Sequence, residues 1–134
     1  TGADLHRIET IQSYPFDYME TVEIAQKEQK QNARPKLQET NLDMASYDTI
    51  ILGYPNWWGT MPMAVFTFLE QYDFSGKTIL PFCTHEGSGM GHSESDIKKL
   101  CSDAKLGQGL AITGNRVNKA QKDIENWLKK AGIL

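Results

Sequence analysis

Long apolar runs are missing from this 134-residue sequence. None approaches the roughly 18 residues that a membrane-crossing helix needs, and the opening Thr1-Gly2-Ala3-Asp4-Leu5-His6-Arg7 holds no signal-peptide core. The expectation is a cytoplasmic protein that does not engage a membrane. Clustered positive charge is missing as well. With 14 Lys and Arg against 17 Asp and Glu, a net charge of −3, no basic patch is present to release counterions from phosphates, so nucleic acid is not an expected partner. Cysteine is scarce. Cys83 and Cys101 fall in different expected elements and form neither a C-x-x-C pair nor a Cys/His framework, so they read as reduced thiols packed like small hydrophobes. No repeat, low-complexity tract or Pro/Gly-rich linker divides the chain. What remains, 40% hydrophobic and 23% charged residues, is an ordinary globular composition of a length that fits one domain over residues 1–134.

Periodicity supplies the elements. Asp4 to Glu9 alternates polar and apolar, as a half-buried strand does. Asp17 to Lys30 carries Tyr18, Val22 and Ala25 at helical spacing, with Asp17 as N-cap. Arg34-Pro35 then argues for extended chain, because proline disfavours the helical region in the residue before it. A polar connector runs from there to Ser46. Thr49 to Tyr54 is a continuous apolar run, expected to be a strand covered on both faces. Met63 to Tyr72 is expected as a helix started by Pro62, with Phe66, Leu69 and Met63 inward. Lys77 to Thr84 is a second such strand. A helix from Ser93 or Ser95 to about Cys101, a short strand from Gly109 to Thr113, and a helix from Asn118 to Ala131 stopped by Gly132 complete the chain. Strands alternating with helices at intervals of about thirty residues indicate βαβ units, hence an α/β fold with a parallel sheet.

In such sheets ligands bind beyond the carboxyl ends of the strands, which draws attention to two loops. The first reads Gly53-Tyr54-Pro55-Asn56-Trp57-Trp58-Gly59-Thr60-Met61-Pro62. Two adjacent tryptophans on a loop are costly apolar surface unless something flat covers them. A planar ligand would do so; the plainer alternative is that one or both indoles fold back onto the core. The second loop reads Thr84-His85-Glu86-Gly87-Ser88-Gly89-Met90-Gly91-His92-Ser93. Its glycines let main-chain amides approach a ligand closely. It is not G-x-G-x-x-G, because position 92 is His, and no Gly-Lys-Ser/Thr marks a nucleotide P-loop. Around Ser88 a nucleophile elbow would need glycine at positions 86 and 90, which are Glu86 and Met90. His85, Glu86 and His92 match no zinc spacing, so no metal is expected.

These two loops, each following its apolar strand, resemble those of the short-chain flavodoxin family, and Asp17-Tyr18 with the Gln26-Lys27-Glu28 helix extends the resemblance over nearly the whole chain. The resemblance implies a flavodoxin-like three-layer sandwich, FMN as cofactor, and a role in carrying electrons to or from a redox partner protein. It implies flavin contacts from Pro55, Asn56, Trp57, Trp58 and Gly59, and from Thr84, His85, Glu86, Gly87, Ser88 and Gly89. No catalytic side chain is required, since a flavin does its own chemistry. Acidic residues and stacked tryptophans would disfavour an anionic reduced flavin, and an acidic surface would steer a basic partner.

Family members begin with a further strand and a Ser/Thr-rich turn into a first helix, where the FMN phosphate is held. The sequence is expected to lack that first strand and first helix, and so to bind FMN or dephosphorylated flavin more weakly. In the strand order 2-1-3-4-5, Asp4 to Glu9 would be the second strand, separated from Thr49–Tyr54 by a gap. Three outcomes are expected for it: pairing with Thr49–Tyr54, docking through a second copy at the open sheet edge, or disorder. Two other functions stand beside the electron carrier. One is an FMN-dependent NAD(P)H or quinone-type reductase; the other is a flavin-free truncated interaction module.

Overall fold

The computed structural model describes residues 1–134, and at its centre is a parallel sheet. In chain order the elements are helix α1 (Tyr18–Lys30), strand β1 (Thr49–Pro55), helix α2 (Met63–Gln71), strand β2 (Thr78–His85), helix α3 (Ser93–Leu100), strands β3 (Lys105–Leu106) and β4 (Leu110–Thr113), and helix α4 (Gln121–Lys130). Short 3₁₀ turns lie at Met44–Ser46 and Gly114–Lys119. No helix is long and apolar enough to cross a membrane.

β2 is the middle strand, parallel to β1 on one side and to β3 and β4 on the other. Its residues alternate between two layers. Ile79 and Cys83 face a large core with Leu52, Tyr54, Val65, Phe68, Leu69 and Ile97, covered by α2 and α3. Leu80 faces the opposite side, against Trp127 and Leu128 of α4 with Phe82 and Leu110 beside them. Burying such a side chain on either face stabilises by roughly 1.5–3 kcal/mol.

β3 and β4 are one strand broken by Pro81. Ile79 pairs with Leu106 and Phe82 with Leu110, so two residues of β2 face three on the partner, Gly107-Gln108-Gly109. Gly107 N–H donates to Ile79 O at 2.9 Å. In a parallel ladder the Gly107 carbonyl would then take the N–H of residue 81, which proline lacks. The bulge that results is closed from outside, where Trp127 Nε1 donates to Gln108 O at 2.7 Å. Sequence periodicity predicts only Gly109–Thr113 as a strand here, and Lys105–Leu106 is an additional one.

Two expectations need correction. Thr49–Tyr54 is covered on one face, not two: Leu52 and Tyr54 are buried, whereas Gly53 is exposed and Ile51 is 40% exposed. On that side α4 packs over β2 and β4, and its apolar cluster includes no residue of β1. The second correction concerns Asp4 to Glu9, which is no strand and makes no backbone hydrogen bond to β1. Side chains hold it instead. Asp4 Oδ2 accepts from the Tyr47 hydroxyl at 2.5 Å, His6 stacks on Phe68 at 5.7 Å, and Ile8 packs on the core. Its backbone meets the connector through the antiparallel bridge Thr10–Leu37, with Gln38 N–H donating to Glu9 O at 2.8 Å.

The helices agree with their sequence signals in most respects. Asp17 caps α1 by accepting from Glu20 N–H at 3.0 Å, though Tyr18 is exposed and only Ala25 of that helix is buried. In α2, Phe66 is half-buried under Arg34, while Val65 and Phe68 join Met63 and Leu69 inside. α4 starts at Gln121, after the 3₁₀ turn that occupies Asn118, and ends as expected at Gly132, whose φ is +79°.

Candidate functional site

Both loops leave the carboxyl ends of paired strands, so their starting points are fixed by the ladder. Pro55 ends β1 opposite Thr84, and the pairing continues one step as Asn56 N–H donates to Thr84 O at 2.8 Å. Asn56 is the hinge of the arrangement. Its Nδ2 donates to Gly89 O at 2.9 Å, and its Oδ1 accepts from Gly59 N–H at 2.9 Å. One side chain therefore spans the two loops and closes the turn between them.

That turn is Trp57 to Thr60. Trp57 N–H donates to Thr60 O at 2.8 Å, and Trp58 and Gly59 both have positive φ, +57° and +88°. This is a type I′ pattern, favourable for Gly59 and strained for tryptophan, since a bulky side chain rarely enters the left-handed region. Contacts from α1 hold Trp58 there. Its Nε1 donates to Val22 O at 3.0 Å, and Gln29 Nε2 donates to its carbonyl at 3.0 Å. The indole stays 46% exposed. Trp57 is half-buried, edge-on to Tyr14 with ring centroids 5.4 Å apart. The Tyr14 hydroxyl donates to Glu28 at 2.7 Å; burial first, and then that carboxylate, hold its phenol far above the usual tyrosine range. Both indoles thus have protein neighbours on α1 and its approach, as the plainer sequence alternative allowed, and Trp58 still presents a face to solvent.

The second loop is pressed against the first, backbone to backbone. His92 N–H donates to Gly59 O at 2.8 Å. At Gly91, φ +56°, a Cβ would overlap the Gly59 carbonyl, so only glycine permits the approach. His85 Nδ1 accepts from Gly87 N–H at 2.9 Å, and the Glu86 carboxylate lies beside Gly114. Ser88 O accepts from Gly91 N–H at 3.3 Å. Gly87 and Gly89 also have positive φ, and a Cβ on either would meet nothing within 4 Å. The N–H groups of Glu86, Ser88, Gly89 and Met90 are left without a partner. Beneath the loop, Tyr54 OH and Ser93 Oγ share a buried hydrogen bond of 2.8 Å, and burial pushes the Tyr54 phenol up to about 12. Burial likewise pushes both free thiols, Cys83 and Cys101, up to about 11.

Of the eleven residues named from the sequence, Pro55, Thr84 and His85 end strands β1 and β2, and the other eight lie on the loops that follow, all at one end of the sheet. Sequence reasoning missed Gly91, Thr60, His92 and Asp96, and the α1 contacts from Val22, Gln29 and Tyr14. Gly91 carried a signal, as the third glycine of Gly87-Ser88-Gly89-Met90-Gly91. The α1 contacts carried none, because they join residues about 29 to 43 positions apart through tertiary packing.

A parallel sheet flanked by helices, with two loops laced together beyond its strand ends, has the architecture of a flavodoxin-like fold. The chain belongs to the flavodoxin family: the family model described as Flavodoxin matches residues 1–131. Among solved structures, a candidate flavoprotein from Bacteroides eggerthii is 30% identical, with a TM-score of 0.84 over 99% of this chain and 84% of its own. Another from Bacteroides uniformis is 28% identical, with a TM-score of 0.75 over 88% and 78%. A Lactobacillus acidophilus flavoprotein solved in complex with FMN is 20% identical, with a TM-score of 0.67 over 90% and 76%, which speaks to the fold. No curated protein matches the chain.

Proposed function

We propose that the chain binds a flavin mononucleotide between its two loops and serves as an electron-transfer protein. One observation carries the reading. Asn56 and the Gly59–Gly91 contact lace the loops together, and these loops carry four backbone N–H groups without a partner and the partly exposed Trp58 indole. Free amide donors suit the carbonyls and ring nitrogens of a flat heterocycle, and an exposed indole suits its face. The donor set fits the ring. Residues Glu86 to Met90 would hold it by main chain, and Trp57 and Trp58 would wall it and exclude water. The flavin, when bound, supplies the electron chemistry; the protein supplies the pocket and its electrostatics.

Titrating the purified chain with FMN and with riboflavin, following quenching of flavin fluorescence, tests the reading. Saturable quenching by both is expected, since an indole against the ring quenches emission. Equal affinity for the two means that the ring contacts carry the binding; a strong preference for FMN means that an anion site contributes as well. No quenching by either would refute the reading in favour of a flavin-free interaction module. Reversible one-electron reduction of the loaded protein supports a carrier, and steady NAD(P)H oxidation with a quinone would make it a reductase.

The partner of a carrier here is a redox protein with a basic face, suited to a chain of net charge −3. A second copy of the chain is the other proposed partner. Thr49–Pro55 carries no charge, and its outer edge is unpaired, which favours edge-to-edge association. Sedimentation at increasing concentration tests this: a single monomeric species at all concentrations would rule it out.

A further inference from the structure

Two histidines bracket the second loop, and their hydrogen bonds assign them opposite tautomers. His85 Nδ1 accepts from Gly87 N–H, so the neutral ring carries its proton on Nε2. His92 Nδ1 lies 2.8 Å from Asp96 Oδ2, which is an acceptor, so the neutral His92 carries its proton on Nδ1 and leaves a lone pair on Nε2. The same Asp96 oxygen accepts from the Thr60 hydroxyl at 2.5 Å, and Thr60 is only 2% exposed. Asp96 is thus locked to the Trp57–Thr60 turn on one side and to His92 on the other.

The free nitrogen of His92 lies at the mouth. Its side chain is 61% exposed, and Nε2 sits 3.5 Å from the point where a Cβ on Gly59 would stand. That is van der Waals distance, so the imidazole borders the Trp57–Thr60 turn. No titratable group hydrogen-bonds or ion-pairs with this nitrogen. The turn and the start of α2 carry none, Glu94 lies beside Gly109, Glu86 lies beside Gly114, and His85 is held by Gly87. On α3 itself, Lys98 and Lys99 are exposed, beyond Asp96.

We propose that His92 Nε2 is a hydrogen-bond acceptor of the ligand site, set by Asp96 as a positioning residue, and that it takes an N–H or O–H of the bound flavin beside Gly59. The inference rests on the flavin reading above. The donor chemistry has two sources in a flavin, the ring imide and the ribityl hydroxyls. Asp96 acts by fixing the tautomer, the way an outer partner fixes the orientation of a functional imidazole.

The test is the two-bond proton–nitrogen spectrum of His6, His85 and His92 in labelled protein at mildly alkaline pH. The expected pattern is His92 in the Nδ1–H form and His85 in the Nε2–H form. Asp96→Ala should return His92 toward the Nε2–H form that free imidazole prefers. His92 found mainly as Nε2–H in the unaltered chain would overturn the proposal. Lumiflavin, riboflavin and FMN are then added in turn. A shift of His92 Nε2 with lumiflavin assigns the ring imide, and a shift with only the other two assigns the ribityl hydroxyls; either sustains the proposal. Fluorescence quenching with His92 unmoved overturns it and leaves flavin binding standing. No quenching by any of the three overturns flavin binding and this ligand contact together, with the tautomer pattern then reporting a purely structural pair. Removing one hydrogen bond costs roughly threefold to tenfold in affinity, so His92→Leu should weaken FMN by that factor, and His92→Gln, whose amide oxygen can stand near Nε2, should recover most of it.

Discussion

β1 and β2 lie side by side in register over seven residues, yet they live in different surroundings. β2 has a strand on each side and a helix layer on each face, so Ile79 and Leu80, consecutive in sequence, are 1% and 3% exposed. β1 has one neighbour and one covered face, so consecutive Ile51 and Leu52 are 40% and 3% exposed. The two runs read alike as apolar strands. What separates them is the packing around them, and the energetic weight of a side chain follows packing more closely than its identity.

Ile79→Ala gives the largest expected effect. It empties a site enclosed on all sides and should cost about 2–5 kcal/mol in urea unfolding; a loss below 1 kcal/mol would mean that β2 is not the enclosed strand described. Gly91→Ala comes next, at the place where the loops following the two strands touch. Its Cβ would overlap the Gly59 carbonyl, and its left-handed backbone would be strained, so at least a tenfold loss of FMN quenching is expected alongside a fall of about 1–3 kcal/mol in stability. Unchanged FMN affinity would show that the loops are not coupled.

Alkaline titration probes the covered face that the strands share, where Tyr54 of β1 pairs with Cys83 of β2. Both are acids raised by burial, to about 12 and about 11, so the unfolded chain loses these protons first. Stability is therefore full below the ordinary thiol and phenol values. It falls as pH rises through about 9 to 12, first from the thiols and then from Tyr54. Tyr54→Phe should flatten the upper part of that decline, as seen in melting temperature against pH. The smallest effect is expected from Ile51→Thr on the open face of β1, within about 0.5 kcal/mol of the parent. A large loss there would reveal a partner surface over Ile51.

Much of the fold was legible because periodicity and punctuation are local. Asp17 as a cap, Pro62 before α2 and Gly132 after α4 each act within one turn of a helix. The apolar run Thr49–Tyr54 was legible as a strand but not as a half-covered one, since coverage depends on where α4 packs. Asp4 to Glu9 alternates like a strand, but a ladder needs a neighbour, and β1 makes no backbone bond to it. Lys105–Leu106 was hidden because its partner ladder is interrupted at Pro81, 24 residues earlier in the chain. At the site, composition located both loops. The lacing between them was not legible, since Asn56 reaches Gly89 and Asp96 reaches Thr60 only after the strands have set their distance.

The contact between Gly59 and Gly91 also constrains how such a chain can change over generations. Two loops joined backbone to backbone cannot vary in length independently: an insertion in either pulls its glycine away from the other and parts Asn56 from Gly89. Length changes are then tolerated only in matched pairs, while the connector between α1 and β1 is tied backbone to backbone to another segment at Lys36–Gln38, against Glu9–Ile11, and is free to grow or shrink beyond that bridge. Among diverging copies, indels should accumulate between residues 39 and 43 and be rare in the segments 55–62 and 84–92.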